Sequence, residues 1–314
     1  MNRDRVLGGH CLWIVMVLGL VPVASLAQGA LPPGVELKAD IPFARFVSKG
    51  AERVLHLDLY RPDVSRAVAQ RGVVMWIHGG AWRAGSRKSM PIPKLVLRGW
   101  SIASVEYRLS PEARFPAQAH DLNAAVRYLR ANAKKLRIDA RRIVVAGNSA
   151  GGHLAALMGV INGVKKLEGN LGDHLDVSSD VQGIVDFYGP TNFHTILKQS
   201  TPHGLSVRVP ALKLLLGAGP DEAKSLATLA SPVSHVDSKD PPLLLIHGDQ
   251  DPQVPINQAH ELHGIYKMLR LPVQFEVVHG GAHGGKGFFG DDHIELMDQF
   301  LRKHLEKAES SSRR

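Results

Sequence analysis

Apolar positions recur along the chain in two ways. The first is the short unbroken run bounded by glycine or proline. Residues 72–80 (GVVMWIHGG), 143–146 (IVVA), 183–190 (GIVDFYGP) and 242–249 (PLLLIHGD) have this form, which marks strands buried on both faces. Residues 101–109 (SIASVEYRL) and 273–280 (VQFEVVHG) read as further strands, and residues 53–62 (RVLHLDLYRP) alternate apolar and polar as a half-exposed strand does. The second form is the helical stripe. Residues 118–136 carry Leu122, Ala125, Val126 and Leu129 at helical spacing, and helices are predicted over 152–161, 256–269 and 293–307.

Strands and helices therefore alternate, which predicts an α/β fold with a mostly parallel central sheet and helices on both faces. Residues 190–235 break the alternation. They predict a small helical cap insertion over the carboxyl edge of the sheet, where open α/β folds bind ligands. Leu212, Leu214, Leu215 and Leu216 read as one helix face packing on the sheet, with Lys198, His203, Arg208, Asp221, Glu222 and Lys224 as the polar remainder.

The first 27 residues have a different composition. Arg3 and Arg5 precede an apolar stretch over 12–21, Pro22 ends it, and Ser25-Leu26-Ala27 supplies small residues for a peptidase. This is the pattern of a secretory signal peptide cut after Ala27. A retained anchor fits less well, because the uncharged span 11–27 is short for a crossing and contains a proline. The expectation is export to the periplasm or beyond, with no stable membrane insertion after cleavage. Cys11, the single cysteine, lies in this segment, so a chain starting at residue 28 holds no disulfide, thiolate metal site or cysteine nucleophile.

Lys and Arg number 38 against 29 Asp and Glu, a net charge of +9. The basic residues form short scattered groups: Lys134, Lys135, Arg137, Arg141 and Arg142; Lys165 and Lys166; Arg313 and Arg314. Solvated faces look like this, so no nucleic-acid partner is expected.

Gly147-Asn148-Ser149-Ala150-Gly151 matches G-x-S-x-G between a predicted strand and a predicted helix. In that context the serine sits on a sharp turn above the sheet edge, at a helix N-terminus. A serine nucleophile needs a base, and the base needs an acid to orient it. The loop after residue 248 offers Asp249 and Asp251, and the loop after residue 278 offers His279 and His283. An acid and then a histidine thus follow successive strands in the required order, with the choice within each loop open. Acyl transfer also needs amide donors for an oxyanion. Gly79, Gly80 and Ala81, after the strand at 72–77, and Ala150, next to the serine, are the candidates. A metal hydrolase built on His279, His283, Asp291, Asp292 and His293 matches no standard ligand spacing. No metal and no cofactor are expected.

The segments 78–87 (HGGAWRAGSR), 107–117 (YRLSPEARFPA), 147–159 (GNSAGGHLAALMG), 185–192 (VDFYGPTN), 247–255 (HGDQDPQVP) and 281–288 (GAHGGKGF) resemble the α/β-hydrolase superfamily. Within it they resemble the bacterial feruloyl/acetyl-xylan-esterase-like (BD-FAE-like) branch, close to the hormone-sensitive-lipase-type carboxylesterases. The resemblance implies one α/β-hydrolase domain over 28–314, with Ser149 as nucleophile, Asp251 as acid and His283 as base. It leaves open which two of Gly79, Gly80 and Ala81 donate, since Ala81 stands where lipase-like relatives have a third glycine. The function it implies is a secreted serine carboxylesterase that cleaves short-chain esters through an acyl-enzyme, the substrate being a small molecule or an acetyl or feruloyl ester of plant polysaccharide. An amide hydrolase such as a formamidase uses the same three residues. A non-catalytic binding protein on this fold is a third reading, against which three filled positions argue.

Overall fold

The computed structural model describes residues 31–63 and 70–312, so the expected signal peptide lies outside the described residues. Eight strands, β1 (Val35–Ser48), β2 (Ala51–Pro62), β3 (Gly72–Ile77), β4 (Trp100–Val105), β5 (Ile143–Asn148), β6 (Gly183–Phe187), β7 (Leu243–Gly248) and β8 (Val273–Val278), form one sheet in the order β1-β2-β4-β3-β5-β6-β7-β8. β1 and β2 make an antiparallel hairpin, β2 is antiparallel to β4, and every pair from β4 through to β8 is parallel.

The unbroken apolar runs become strands because both their faces are covered. Val73, Met75 and Ile77 of β3 and Leu243 and Leu245 of β7 point into one core. Val74, Trp76, Leu244 and Ile246 point into the other. Five long helices stand out: α1 (Ala117–Ala131), α2 (Ala150–Val160), α3 (Pro202–Leu216), α4 (Asn257–Met268) and α5 (Asp291–Ser312). The first core is closed by Leu122, Val126 and Leu129 of α1, Leu154 and Leu157 of α2, and Leu262 and Tyr266 of α4. The second is closed by Ile294, Met297 and Leu301 of α5 with the 3-10 turn Pro93–Arg98. Each such leucine, fully buried, contributes roughly 1.5–3 kcal/mol relative to exposure.

Two features depart from the sequence pattern. Strand β1 is not marked by alternation, because Asp40 takes φ 56° and the register with β2 shifts on both sides of Ile41 and Pro42. A bulged edge strand can hold such a proline, but its period-2 signal is lost. The cap contains α3 and the short helices Ile196–Gln199 and Lys224–Leu229. In α3, Leu212, Leu215 and Leu216 join the first core, whereas Leu214 is 41% exposed. The leucine cluster is therefore split by the helical period, not gathered on one face.

Candidate active site

Strand β5 ends at Asn148 and α2 begins at Ala150, so the whole change of direction falls on Ser149. Its backbone sits at φ 54°, ψ −120°, a region L residues occupy at a cost of about 1–3 kcal/mol. The surroundings hold it there. Ser149 N–H donates to the Phe187 carbonyl at 2.9 Å, and His153 N–H donates to the Ser149 carbonyl at 2.9 Å. Gly151 is required for the close crossing: a Cβ there would lie 2.0 Å from the Ile77 carbonyl oxygen.

The loops after β7 and β8 bring two partners to this serine. His283 Nε2 lies 2.8 Å from Ser149 Oγ, and His283 Nδ1 lies 2.7 Å from Asp251 Oδ2. With its proton on Nδ1, the neutral imidazole donates to the carboxylate and accepts from the hydroxyl. Asp251 is itself fixed, because its Oδ1 accepts the amides of Gln253 at 2.8 Å and Val254 at 2.9 Å. His247 Nε2 donates to the Val254 carbonyl at 2.9 Å and stands 3.5 Å from Asp251 Oδ2. Burial alone would raise the Asp251 carboxyl, but the His247 ring beside it, the bond from His283 and the Val254 amide outweigh it and hold the group well below the ordinary carboxylate range. Burial pushes His283 below the ordinary histidine value, against the opposing pull of Asp251.

The two residues left open in each loop separate cleanly. Asp249 and His279 pair with one another, Oδ2 to Nδ1 at 3.0 Å, and Gly280 N–H donates to Asp249 Oδ1 at 2.7 Å. His279 is largely exposed. Neither reaches Ser149. Among the described residues, no group of three or more His, Cys, Asp or Glu side chains is arranged to hold a metal ion.

The loop after β3 runs alongside. Gly80, Ala81 and Trp82 take φ 116°, 53° and 58°, a succession of left-handed residues that turns the chain back under the Gly80 carbonyl, which accepts the amides of Arg83 and Ala84. Side chains brace this loop on both sides. Tyr107 Oη donates to the His78 carbonyl at 2.9 Å, and Trp82 Nε1 donates to His153 Nδ1 at 3.1 Å. The other ring nitrogen of His153 donates to the Ala230 carbonyl at 2.7 Å. Burial drives His78 and His153 down to about 4, so both are neutral scaffold histidines.

Of the four amides singled out, Gly79 is already engaged: it donates to Asn148 Oδ1 at 3.1 Å. Among the described residues the Gly80 and Ala81 amides have no acceptor, and the Ala150 amide, first in α2, has no carbonyl behind it to bond. Asn148 and Tyr188 are site residues that motif reasoning does not single out. Asn148 Nδ2 donates to Tyr188 Oη at 3.3 Å, and the Tyr188 ring meets His283 edge-on, centroids 4.9 Å apart. Asn148 occupies a variable position of the pentapeptide, and Tyr188 is one aromatic among many, so neither carries a signal in sequence.

Known proteins share this arrangement of elements. The chain is 32% identical to a truncated carbohydrate esterase from gut microbiota, with TM-score 0.75, covering 86% of this chain and 96% of that one. It is 27% identical, TM-score 0.68, to an acetyl ester-xyloside bifunctional hydrolase from Caldicellulosiruptor lactoaceticus, covering 88% and 98%. Esterase LipC of Mycobacterium tuberculosis is 31% identical over 216 residues, 68% of this chain and 52% of LipC. The chain spans about half the length of the mycobacterial relatives it matches. The BD-FAE family model matches residues 57–266, a span that includes Ser149 and Asp251 and ends before His283. With more than half of its length matched in this way on an α/β-hydrolase sheet, the chain belongs to the BD-FAE family.

Proposed function

We propose that the chain is a serine carboxylesterase that cleaves short-chain esters through an acyl-enzyme on Ser149. The observation that carries this reading is the continuous hydrogen-bonded line from Asp251 through His283 to Ser149, at 2.7 and 2.8 Å. Ser149 Oγ attacks the ester carbonyl while His283 Nε2 takes its proton. The imidazolium that forms is stabilised by Asp251, whose carboxylate stays ionised. The developing oxyanion is received by the amides of Gly80, Ala81 and Ala150, preorganised by the turn at Ser149 and by the loop before Trp82. Gly79 instead tethers that loop to Asn148. His283 then returns the proton to the departing alcohol, and water releases the acid by the reverse sequence. The esterases and carbohydrate esterases similar to this chain support the ester as substrate and an acylated polysaccharide as its natural setting. The basic-then-apolar first 27 residues support export.

A panel of p-nitrophenyl esters, acetylated xylan, methyl ferulate and N-formyl amides tests the proposal. Ester turnover that is lost in Ser149→Ala is the expected result. Turnover of formyl amides but not of esters would replace the reading with the amidase one.

A further inference from the structure

Arg208 belongs to α3, in the cap, and is one of the polar residues that accompany its leucines. In the structure its side chain is only 1% exposed. Its Nε and Nη1 groups have no hydrogen-bond partner. The guanidinium lies over the Trp82 ring, 5.8 Å from the centroid, and Trp82 closes the loop that carries the candidate oxyanion amides. The charge of Asp251 reaches it, and Arg208 in turn disfavours protonation of His283 and of His153. The guanidinium therefore stands between the cap, the acid–base pair and the oxyanion loop.

An unpaired buried cation is among the most costly arrangements a fold carries. The face of Trp82 offsets part of this. Asp251 cannot complete the pairing, because its Oδ1 serves Gln253 and Val254 and its Oδ2 serves His283. A second cation, the exposed Arg83, is close enough to act on Arg208 and lines a neighbouring groove with His78 and Lys49. A guanidinium with free N–H groups favours an anion, and its planar fork matches a carboxylate. The net charge of +9 acts in the same direction on approach.

We propose that Arg208 is a specificity residue that binds a carboxylate carried by the substrate, so that the preferred esters bear an acid group close to the scissile bond. This rests on the esterase reading above. The acid can belong to the acyl part, as in a dicarboxylate half-ester, or to the alcohol part, as in an acylated uronate.

Two matched pairs of substrates test it. Ethyl hydrogen succinate against its amide isostere ethyl succinamate places the acid on the acyl side. O-acetyl glucuronic acid against O-acetyl glucuronamide places it on the alcohol side. In one pair the wild-type enzyme is expected to favour the acid by about 10–100-fold in kcat/KM, the range of a hydrogen bond to a charged group. Arg208→Gln brings that ratio close to one, with the loss mainly in KM, and Arg208→Lys keeps part of it. A merely structural arginine lowers acid and amide together and leaves the ratio as in wild type, which overturns the proposal. Equal turnover of acid and amide by the wild-type enzyme in both pairs overturns it as well, and needs no folded variant. If p-nitrophenyl acetate and all four esters go unhydrolysed, the esterase reading itself has failed.

Discussion

His283 Nε2 and Ser149 Oγ lie 2.8 Å apart although 134 positions separate them in the chain. Two loops on opposite sides of α3 and α4 in sequence are brought to one point by the parallel order β5-β6-β7-β8. Removing the hydroxyl should then remove the chemistry and little else. Ser149→Ala is expected to lower kcat on the order of 10⁴-fold or more, while the thermal midpoint stays within a few degrees of wild type. Near-normal turnover by a folded, purified variant excludes Ser149 as nucleophile.

The two acid–histidine pairs predict opposite outcomes for four single substitutions. Asp251→Ala and His283→Ala break the line to Ser149 and should each cost several orders of magnitude in kcat. Asp249→Ala and His279→Ala break a solvent-exposed contact that does not touch Ser149, and contacts of this kind contribute little. Steady-state kinetics on all four, beside their melting curves, decides the assignment. A larger loss of activity from either surface residue contradicts it.

Much of this site is legible in the sequence because its parts are local or ordered. Ser149 is marked by neighbours that must be small at a strand-to-helix turn, and the acid and base by the strands they follow. The parts that are not legible depend on packing. Nothing local separates Asp251 from Asp249: the distinction is that the Gln253 and Val254 amides turn back onto Asp251, whereas Asp249 meets Gly280 and His279. Asn148 gains its role from a bond to Gly79, 69 positions away. The burial of Arg208 is created by the cap folding down on Trp82. Strand β1 is hidden by its own bulges.

The Asn148–Gly79 bond predicts that Asn148 holds the oxyanion loop. In Asn148→Ala the half-buried Gly79 amide loses its acceptor, and a lost hydrogen bond of this kind costs about 0.5–1.5 kcal/mol. The loop that presents Gly80 and Ala81 loosens with it. Expected are a lower thermal midpoint and a fall in kcat of about 10-fold or more, with KM changed less, because the oxyanion develops only in the transition state. A variant unchanged in both stability and kcat shows that Trp82 and Tyr107 hold the loop without Asn148.

The pH profile follows from His283. Its folded-state value lies below the ordinary histidine value, burial being the larger influence and Asp251 opposing it. Activity needs the neutral imidazole, so the acid limb of kcat/KM should have its midpoint below about 6.5. The same sign applies to stability: the unfolded chain takes up the proton first, so this group's contribution falls as pH drops through about 6.5. A titration of kcat/KM on a neutral ester between pH 4 and 9 checks this, and an acid midpoint at 7 or above contradicts it.

Acyl-chain preference is decided by what the cap leaves for an alkyl chain to touch. Each added CH₂ gains about 0.8 kcal/mol only where apolar wall receives it. Three leucines of α3, Leu212, Leu215 and Leu216, are spent on the sheet-side core. Leu214 faces outward, 41% exposed, and the side chain that α3 places against Trp82 is the cation Arg208. A long alkyl chain entering here would meet a buried guanidinium whose Nε and Nη1 groups lack partners and would leave them unsatisfied, which is unfavourable. Across p-nitrophenyl esters from acetate to palmitate, kcat/KM should therefore be highest between acetyl and butyryl and much lower beyond octanoyl. A maximum at ten carbons or more would mean that the cap opens to an apolar channel.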